Sequence, residues 1–338
     1  ANRGIFMNRE NWIDVTRGIA ILAVLIGHSG TIPIIHIYIY GFHMPLFFIL
    51  SGYLFNYVKY FSMGVRKFVF KRAKMYVLPY FVFAIVNLMF NIPVELHNGT
   101  LHGSIAADVI YHFKWIFYCW PTTDRMPNCT PLWFLLALFI SNVYCYFVLR
   151  YKHCMWLFII LSIVFNSWLN YCRYSFLPWN FDISMYGCIF MLLGYYMKQS
   201  NILKKRKLYM ICILFLLSSI CILYNGKINI GARIFQNELV MFFSSSVMSY
   251  TIMYLAKHYL SNVYWLKYLG KNTLYILAFN YVINTYSSGI WKRISIFENI
   301  TYEWWMICIV DVLVSYLLIK LFNILIKKYP GMKILVGK

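Results

Sequence analysis

Ten apolar stretches, most of them near twenty residues, run through this 338-residue chain. They fall near 12–32, 42–58, 76–94, 131–149, 154–172, 179–197, 208–225, 235–256, 272–290 and 303–326. A helix of about 20 apolar residues crosses the roughly 30 Å hydrocarbon core of a bilayer. Of the structures that satisfy their backbone there, runs of this length select helices over barrel strands. The fold class is therefore all-α: a polytopic integral membrane protein of about ten transmembrane helices. Composition agrees, being 62% hydrophobic and only 12% charged. A soluble domain carries about 25% charged residues, so an ordinary soluble enzyme is excluded.

The net charge of +21 is the second constraint. In a soluble chain it would suggest nucleic acid. With ten spans, 23 of the 31 Lys and Arg fall on the side of the N-terminus, counting Lys320 near the inner end of the last span, seven fall on the other, and Arg17 lies inside the first span. Positive residues gather on the cytoplasmic face, so both termini are expected in the cytoplasm and nucleic acid is excluded as a partner. The chain reads as one domain, 1–338, with a cytoplasmic N-terminal segment 1–11, a long outer loop 95–130 and a cytoplasmic tail 327–338. The aromatics Trp115, Phe117, Tyr118 and Trp120 mark part of that loop as interfacial. Cys119 and Cys129 share it, which leaves a disulfide open to them in an oxidising compartment. No Cys/His spacing resembles a zinc site, and no metal is expected.

Ionisable residues within spans are costly and point to function. They are few: Asp14, Arg17, His28, His43 at the mouth of span two, Asp182, Glu238 and Asp311. Arg17 and His28 are eleven residues apart, three helical turns plus about 20°, so they share a face with about 16 Å of rise between them. Asp14 precedes Arg17 by three and can pair with it. Taken singly, Arg17 also reads as a cation reaching for headgroups, and His28 as a structural histidine. The next segment, Phe42-His43-Met44-Pro45-Leu46-Phe47-Phe48-Ile49-Leu50-Ser51-Gly52, brings a second histidine after a short connection.

Arg17-x10-His28 followed by that segment resembles the membrane-bound acyltransferase 3 family, and within it the stand-alone fucose 4-O-acetylase-like enzymes. Lys71-Arg72-Ala73-Lys74 ahead of Pro79-Tyr80, Pro131-Leu132-Trp133-Phe134-Leu135 and Leu269-Gly270-Lys271-Asn272-Thr273-Leu274 are weaker matches. Two positions depart from the pattern. Relatives often carry a second arginine where this chain has Met75, for which Lys74 is the available substitute. They often carry a histidine in span nine where this chain has Asn280.

The resemblance implies transfer of an acyl group, most often acetyl, from cytoplasmic acyl-CoA to a sugar hydroxyl. The acceptor would be a surface polysaccharide or its lipid-linked precursor, at a bacterial inner membrane. Acetyl-CoA is then the expected donor cofactor, and the sugar acceptor and membrane lipid the partners. His28 is expected as general base, or as a transient acyl carrier, since a free hydroxyl is a poor nucleophile and imidazole titrates near neutrality. Arg17 would orient the donor, Asp14 would fix Arg17, and His43 would assist. Lys71, Arg72 and Lys74 join Arg17 as cations for the donor's phosphates. Trp133 and Ser51 are expected to bind substrate; Trp168 and Trp179 are further aromatics that could stack on a sugar. The alternative from another class is a transporter or flippase of a glycan or lipid-linked sugar.

Overall fold

The computed structural model describes residues 10–172, 177–298 and 303–335. Most of the N-terminal segment, Arg173, Lys338 and the side chains of Lys292 and Arg293 lie outside what is described. The helices are α1 (Asn11–His28), α2 (Pro33–Tyr40), α3 (His43–Tyr53), α4 (Tyr57–Ser62) and α5 (Val65–Asn98). Then come α6 (Ile105–Tyr118), α7 (Trp133–Arg150), α8 (Met155–Tyr171), α9 (Phe181–Gln199) and α10 (Leu208–Asn225). The chain continues with α11 (Glu238–His258), α12 (Tyr264–Lys271), α13 (Thr273–Glu298), α14 (Trp304–Lys328) and α15 (Met332–Leu335). The described residues contain no β-strand, only an isolated bridge between Asn229 and Ile234.

Seven spans among the described residues are both long and apolar enough to cross a bilayer: Pro33–Tyr53, Val65–Asn98, Thr130–Arg150, Lys152–Tyr171, Leu208–Asn225, Glu238–His258 and Trp304–Lys328. The other three expected spans are α1, α9 and α13. Each is helical, but each carries polar residues that dilute it: Asp14 and Arg17, Asp182 and Lys198, and Asn280, Asn284 and Thr285. The surface is inverted relative to a soluble protein. Trp156, Leu157, Ile160 and Val164 of α8, Ile213 and Ile220 of α10, and Leu313, Leu317 and Ile324 of α14 are exposed, while Asn87, Asp182, Ser184, Asn280 and Asp311 are buried. Exposed apolar faces of this extent belong in lipid. The protein is an all-α polytopic membrane protein.

Two glycine contacts set the interior. Gly18 of α1 meets the Leu266 carbonyl, and Gly270 of α12 meets the Asp14 carbonyl, so α1 and α12 cross backbone to backbone. Gly52 of α3 and Gly194 of α9 do the same against Met191 and Ile49. In lipid, helices associate through such close packing of small residues.

Two expected boundaries move. Span two begins at Pro33, not near residue 42, and is broken at Gly41–Phe42 into α2 and α3. His43 therefore starts the second half of a span, 3% exposed, instead of sitting at its mouth. Span three is part of the 34-residue α5, which begins at Val65, so Arg66, Lys67, Lys71, Arg72 and Lys74 ride on the helix itself. Within 95–130 the interfacial aromatics fall on and just after α6, with Phe113 and Phe117 exposed and Asp108, His112 and Ile116 buried. Cys119 and Cys129 are free, buried thiols. Burial pushes the Cys119 thiol up to about 12, and its sulfur accepts a hydrogen bond from Asn180 Nδ2 at 3.1 Å.

Candidate functional site

His28 is the last residue of α1 and is half-buried. Asn284 Nδ2 of α13 donates to its carbonyl at 2.6 Å. Its ring Nδ1 lies 3.2 Å from the Tyr40 hydroxyl, and Tyr281 packs edge-on against the ring at 4.9 Å. His43 comes from the broken span. Breaking a helix in lipid frees carbonyls that must find other donors. His43 supplies one, its Nδ1–H donating to the Ile39 carbonyl at 2.9 Å, and Ser245 Oγ donates to the Gly41 carbonyl at 2.5 Å. The break thus repairs itself with the side chain it places. The carbonyl fixes His43 as the Nδ1–H tautomer and leaves Nε2 to accept a proton. The partner of His28 is a hydroxyl, which both donates and accepts. His28 can therefore take up a proton at Nε2 without losing its Tyr40 bond.

The two histidines line one pocket of about 180 Å³, together with Tyr40, Trp133 and Tyr281. Its remaining wall includes residues 229–232. That loop is pinned by Arg233, which adopts a left-handed conformation at φ 58°. Arg233 Nε and Nη2 each donate to the Asp182 carboxylate at 2.9 Å. Its Nη1 donates to the Gly231 carbonyl at 2.7 Å and Nη2 also donates to Asn180 Oδ1 at 2.8 Å. Gly231 is thereby pressed on the Trp133 indole so closely that a Cβ there would fall 2.8 Å from the ring.

A second cavity, about 430 Å³, opens at the Arg17 end of α1. Arg17, Arg72, Lys271, Ser51, Tyr60 and Met75 are among its lining residues. Arg17 Nη1 lies 3.6 Å from Asp14 Oδ1, and Asp14 is buried. The Arg72 guanidinium sits 4.5 Å over the Tyr60 ring, with Nη1 against Met75 Sδ at 3.6 Å. Its Nε is buried without a hydrogen-bond partner. The two cavities share Met44 and Leu277 as walls, so these two side chains stand between them.

Of the residues expected from sequence, the structure groups His28, His43 and Trp133 in one cavity, and Arg17, Arg72 and Ser51 in the other, with Asp14 behind Arg17. Lys71 and Lys74 are exposed and line neither. On a helix, positions one and two residues from Arg72 point about 100° and 200° away from it, whereas Met75, three on, returns to its face. Lys74 instead flanks an apolar groove with Phe70 and Val77. Lys271 lines the same cavity as Met75 and comes from a segment that resembles the family but had no role assigned. Tyr40, Tyr281 and the 229–233 loop were also missed. Asp182, left unassigned, is the partner of Arg233. Glu238 accepts from Ser167 Oγ at 3.0 Å, and Asp311 is buried in α14 with no hydrogen-bond partner on either oxygen. Trp168 is exposed on α8, and Trp179 donates to the Phe117 carbonyl at 2.9 Å; neither lines the pocket.

A family model described as an acyltransferase domain matches residues 10–320. The chain belongs to the acyltransferase 3 family. No curated protein and no solved structure matches it. The match takes in every residue of both cavities, so this acyltransferase 3 member is a multi-pass membrane acyltransferase. Met75 lines the cation-bearing cavity, while Asn280 is buried outside both cavities.

Proposed function

We propose that the protein transfers an acyl group, acetyl in the first instance, from a CoA thioester to a hydroxyl of a surface sugar or its lipid-linked precursor, in a bacterial cytoplasmic membrane. The observation that carries this reading is the pair of cavities that share Met44 and Leu277 as lining residues, one bearing cations and the other two histidines. The nucleotide phosphates of the donor bind Arg17, Arg72 and Lys271, where guanidinium groups make the strong charge-assisted bonds phosphate favours. The pantetheine arm then follows α1, past Met44 and Leu277, for the roughly 16 Å that separate Arg17 from His28.

At the His28 end the acceptor sugar lies against Trp133. As its hydroxyl oxygen attacks the thioester carbon, His28 takes the hydroxyl proton. The carbon–sulfur bond breaks, and the leaving CoA thiolate takes that proton from His28, giving ester, free thiol and neutral imidazole. Tyr40 keeps the imidazole oriented as its charge changes. His43, fixed as the Nδ1–H tautomer, assists at the same pocket. Asp14 holds the Arg17 guanidinium, and Ser51 lies on the donor side.

The test is acetyl transfer from labelled acetyl-CoA by the purified protein, with surface polysaccharide isolated with and without the gene compared by mass spectrometry. Full transfer by a folded His28→Ala protein would sink the assignment of the base. Unchanged acetylation of the polysaccharide would sink the acceptor.

A further inference from the structure

Away from both cavities, the connection between α5 and α7 gathers a second cluster of titratable side chains. Glu95 comes from the last turn of α5, His102 from the bend that follows, and Asp108 and His112 from α6. His102 Nδ1 lies 3.0 Å from Asp108 Oδ1. His112 Nε2 lies 3.0 Å from Glu95 Oε1 and 3.7 Å from Asp108 Oδ2. One donor atom each from His102, Asp108 and His112 fits within 4.8 Å of the others. Asp108 and His112 are fully buried, and Asp108 Oδ2 and Glu95 Oε2 have no hydrogen-bond partner.

The tautomer of His112 makes this arrangement telling. Its Nδ1 lies 3.0 Å from the Arg125 carbonyl, an acceptor, so Nδ1 carries the hydrogen. A neutral His112 then turns the Nε2 lone pair on a carboxylate oxygen, and buried Asp108 and half-buried Glu95 crowd the same space. A bound cation relieves that crowding, as does a proton shared by the two carboxyl groups. The Arg125 guanidinium is engaged elsewhere, between the Trp115 and Trp120 rings at 4.0 and 3.9 Å and 3.7 Å from Asp124. Two ligands of one tetrahedral ion, bound at about 2.0–2.1 Å, are about 3.3 Å apart. His112 Nε2 and Asp108 Oδ2, 3.7 Å apart, stand near that value.

We propose that His102, Asp108 and His112 bind one divalent transition-metal ion, with Glu95 held against His112 and Zn²⁺ the best chemical match. Two imidazoles disfavour Ca²⁺ and Mg²⁺, which take oxygen ligands. A ring N–H held by a backbone carbonyl is the usual support of a metal-bound histidine. No cysteine takes part, which is why Cys/His spacing gave no sign of the site. The ion ties the bend after α5 to α6. Through the Arg125 carbonyl it also steadies the following segment, which supplies Thr130 and Pro131 to the histidine pocket. His102, with its side chain 44% exposed, leaves a path for the ion to enter the folded protein.

The full chain, purified in detergent and stripped with a chelator, is titrated with Co²⁺ alone. One ion per chain should bind with a visible ligand-field spectrum, and Zn²⁺ should displace it. His112→Gln and Asp108→Asn should abolish the spectrum. His102→Ala, at the exposed side and the variant least able to disturb folding, should weaken binding at least tenfold. His97→Gln, on an exposed residue outside the cluster, should bind as the parent does. Absence of a saturable Co²⁺ spectrum in the parent protein overturns the proposal. So does equal affinity in His102→Ala.

Discussion

The two cavities along α1 are built on different principles. In the histidine pocket both imidazoles already have hydrogen-bond partners, and the facing loop is tied down by a bidentate ion pair. In the larger cavity near Arg17, cations emerge from apolar and aromatic walls, and Arg72 keeps a buried donor with nothing to bond. The first arrangement spends no motion on orienting its groups, which suits proton transfer at a defined atom. The second is left for a ligand to complete, since a buried unpaired guanidinium donor is stabilised most by an arriving anion. On the proposed function, chemistry is fixed at one end of the helix and recognition is left open at the other.

The contrast can be broken most severely at His28. His28→Ala should lower kcat for acetyl transfer on the order of 10³-fold, within the range for loss of a general base, while donor binding persists. A parallel loss of donor affinity would erase the division of labour. The wall between the cavities is the next target. Met44→Trp should cut kcat by roughly 10²-fold, the cost of misplacing reactants by about an ångström, with acyl-CoA still bound in equilibrium measurements. Retained transfer would mean that the two cavities do not communicate past this residue. Arg72→Ala should raise the KM for acyl-CoA about tenfold, since a hydrogen bond to a charged group is worth about 1.5–3 kcal/mol, and leave kcat nearly unchanged. A fall in kcat alone would move Arg72 out of the recognition half. Lys74→Ala sharpens the comparison by its smallness. An exposed cation contributes little, and its KM should stay within about twofold of the parent's; a tenfold rise would return the donor to the outer face of α5.

Legibility in the sequence followed the range of the interaction. The face shared by Arg17 and His28, and the pairing of Asp14 with Arg17, depend only on helix geometry and are present in the structure. The membrane class was legible because twenty-residue apolar runs need no tertiary context. Choosing among Lys71, Arg72 and Lys74 did need it, since the inward face of α5 is set by its neighbours. Lys271, Tyr281 and Arg233 lie more than 200 residues from α1, and no local pattern announces that they return to it. The extent of span two was misread for a physical reason as well. Pro33 and Gly41 look like loop punctuation, yet here Pro33 starts one short helix and Gly41 divides it from the next.

That division has a consequence for how the chain is made. At 1.5 Å per residue, the eight residues of α2 and the eleven of α3 reach about 12 and 16 Å, each well short of a bilayer. Neither half can be inserted as a span alone, so both enter together with the carbonyl of Gly41 exposed between them. The hydroxyl that satisfies it belongs to Ser245, 204 residues later. During synthesis the gap must stay open, kept by water or lipid headgroups, until α11 arrives. The histidine pocket is therefore a late product of assembly, closed only after most of the protein has been threaded into the membrane.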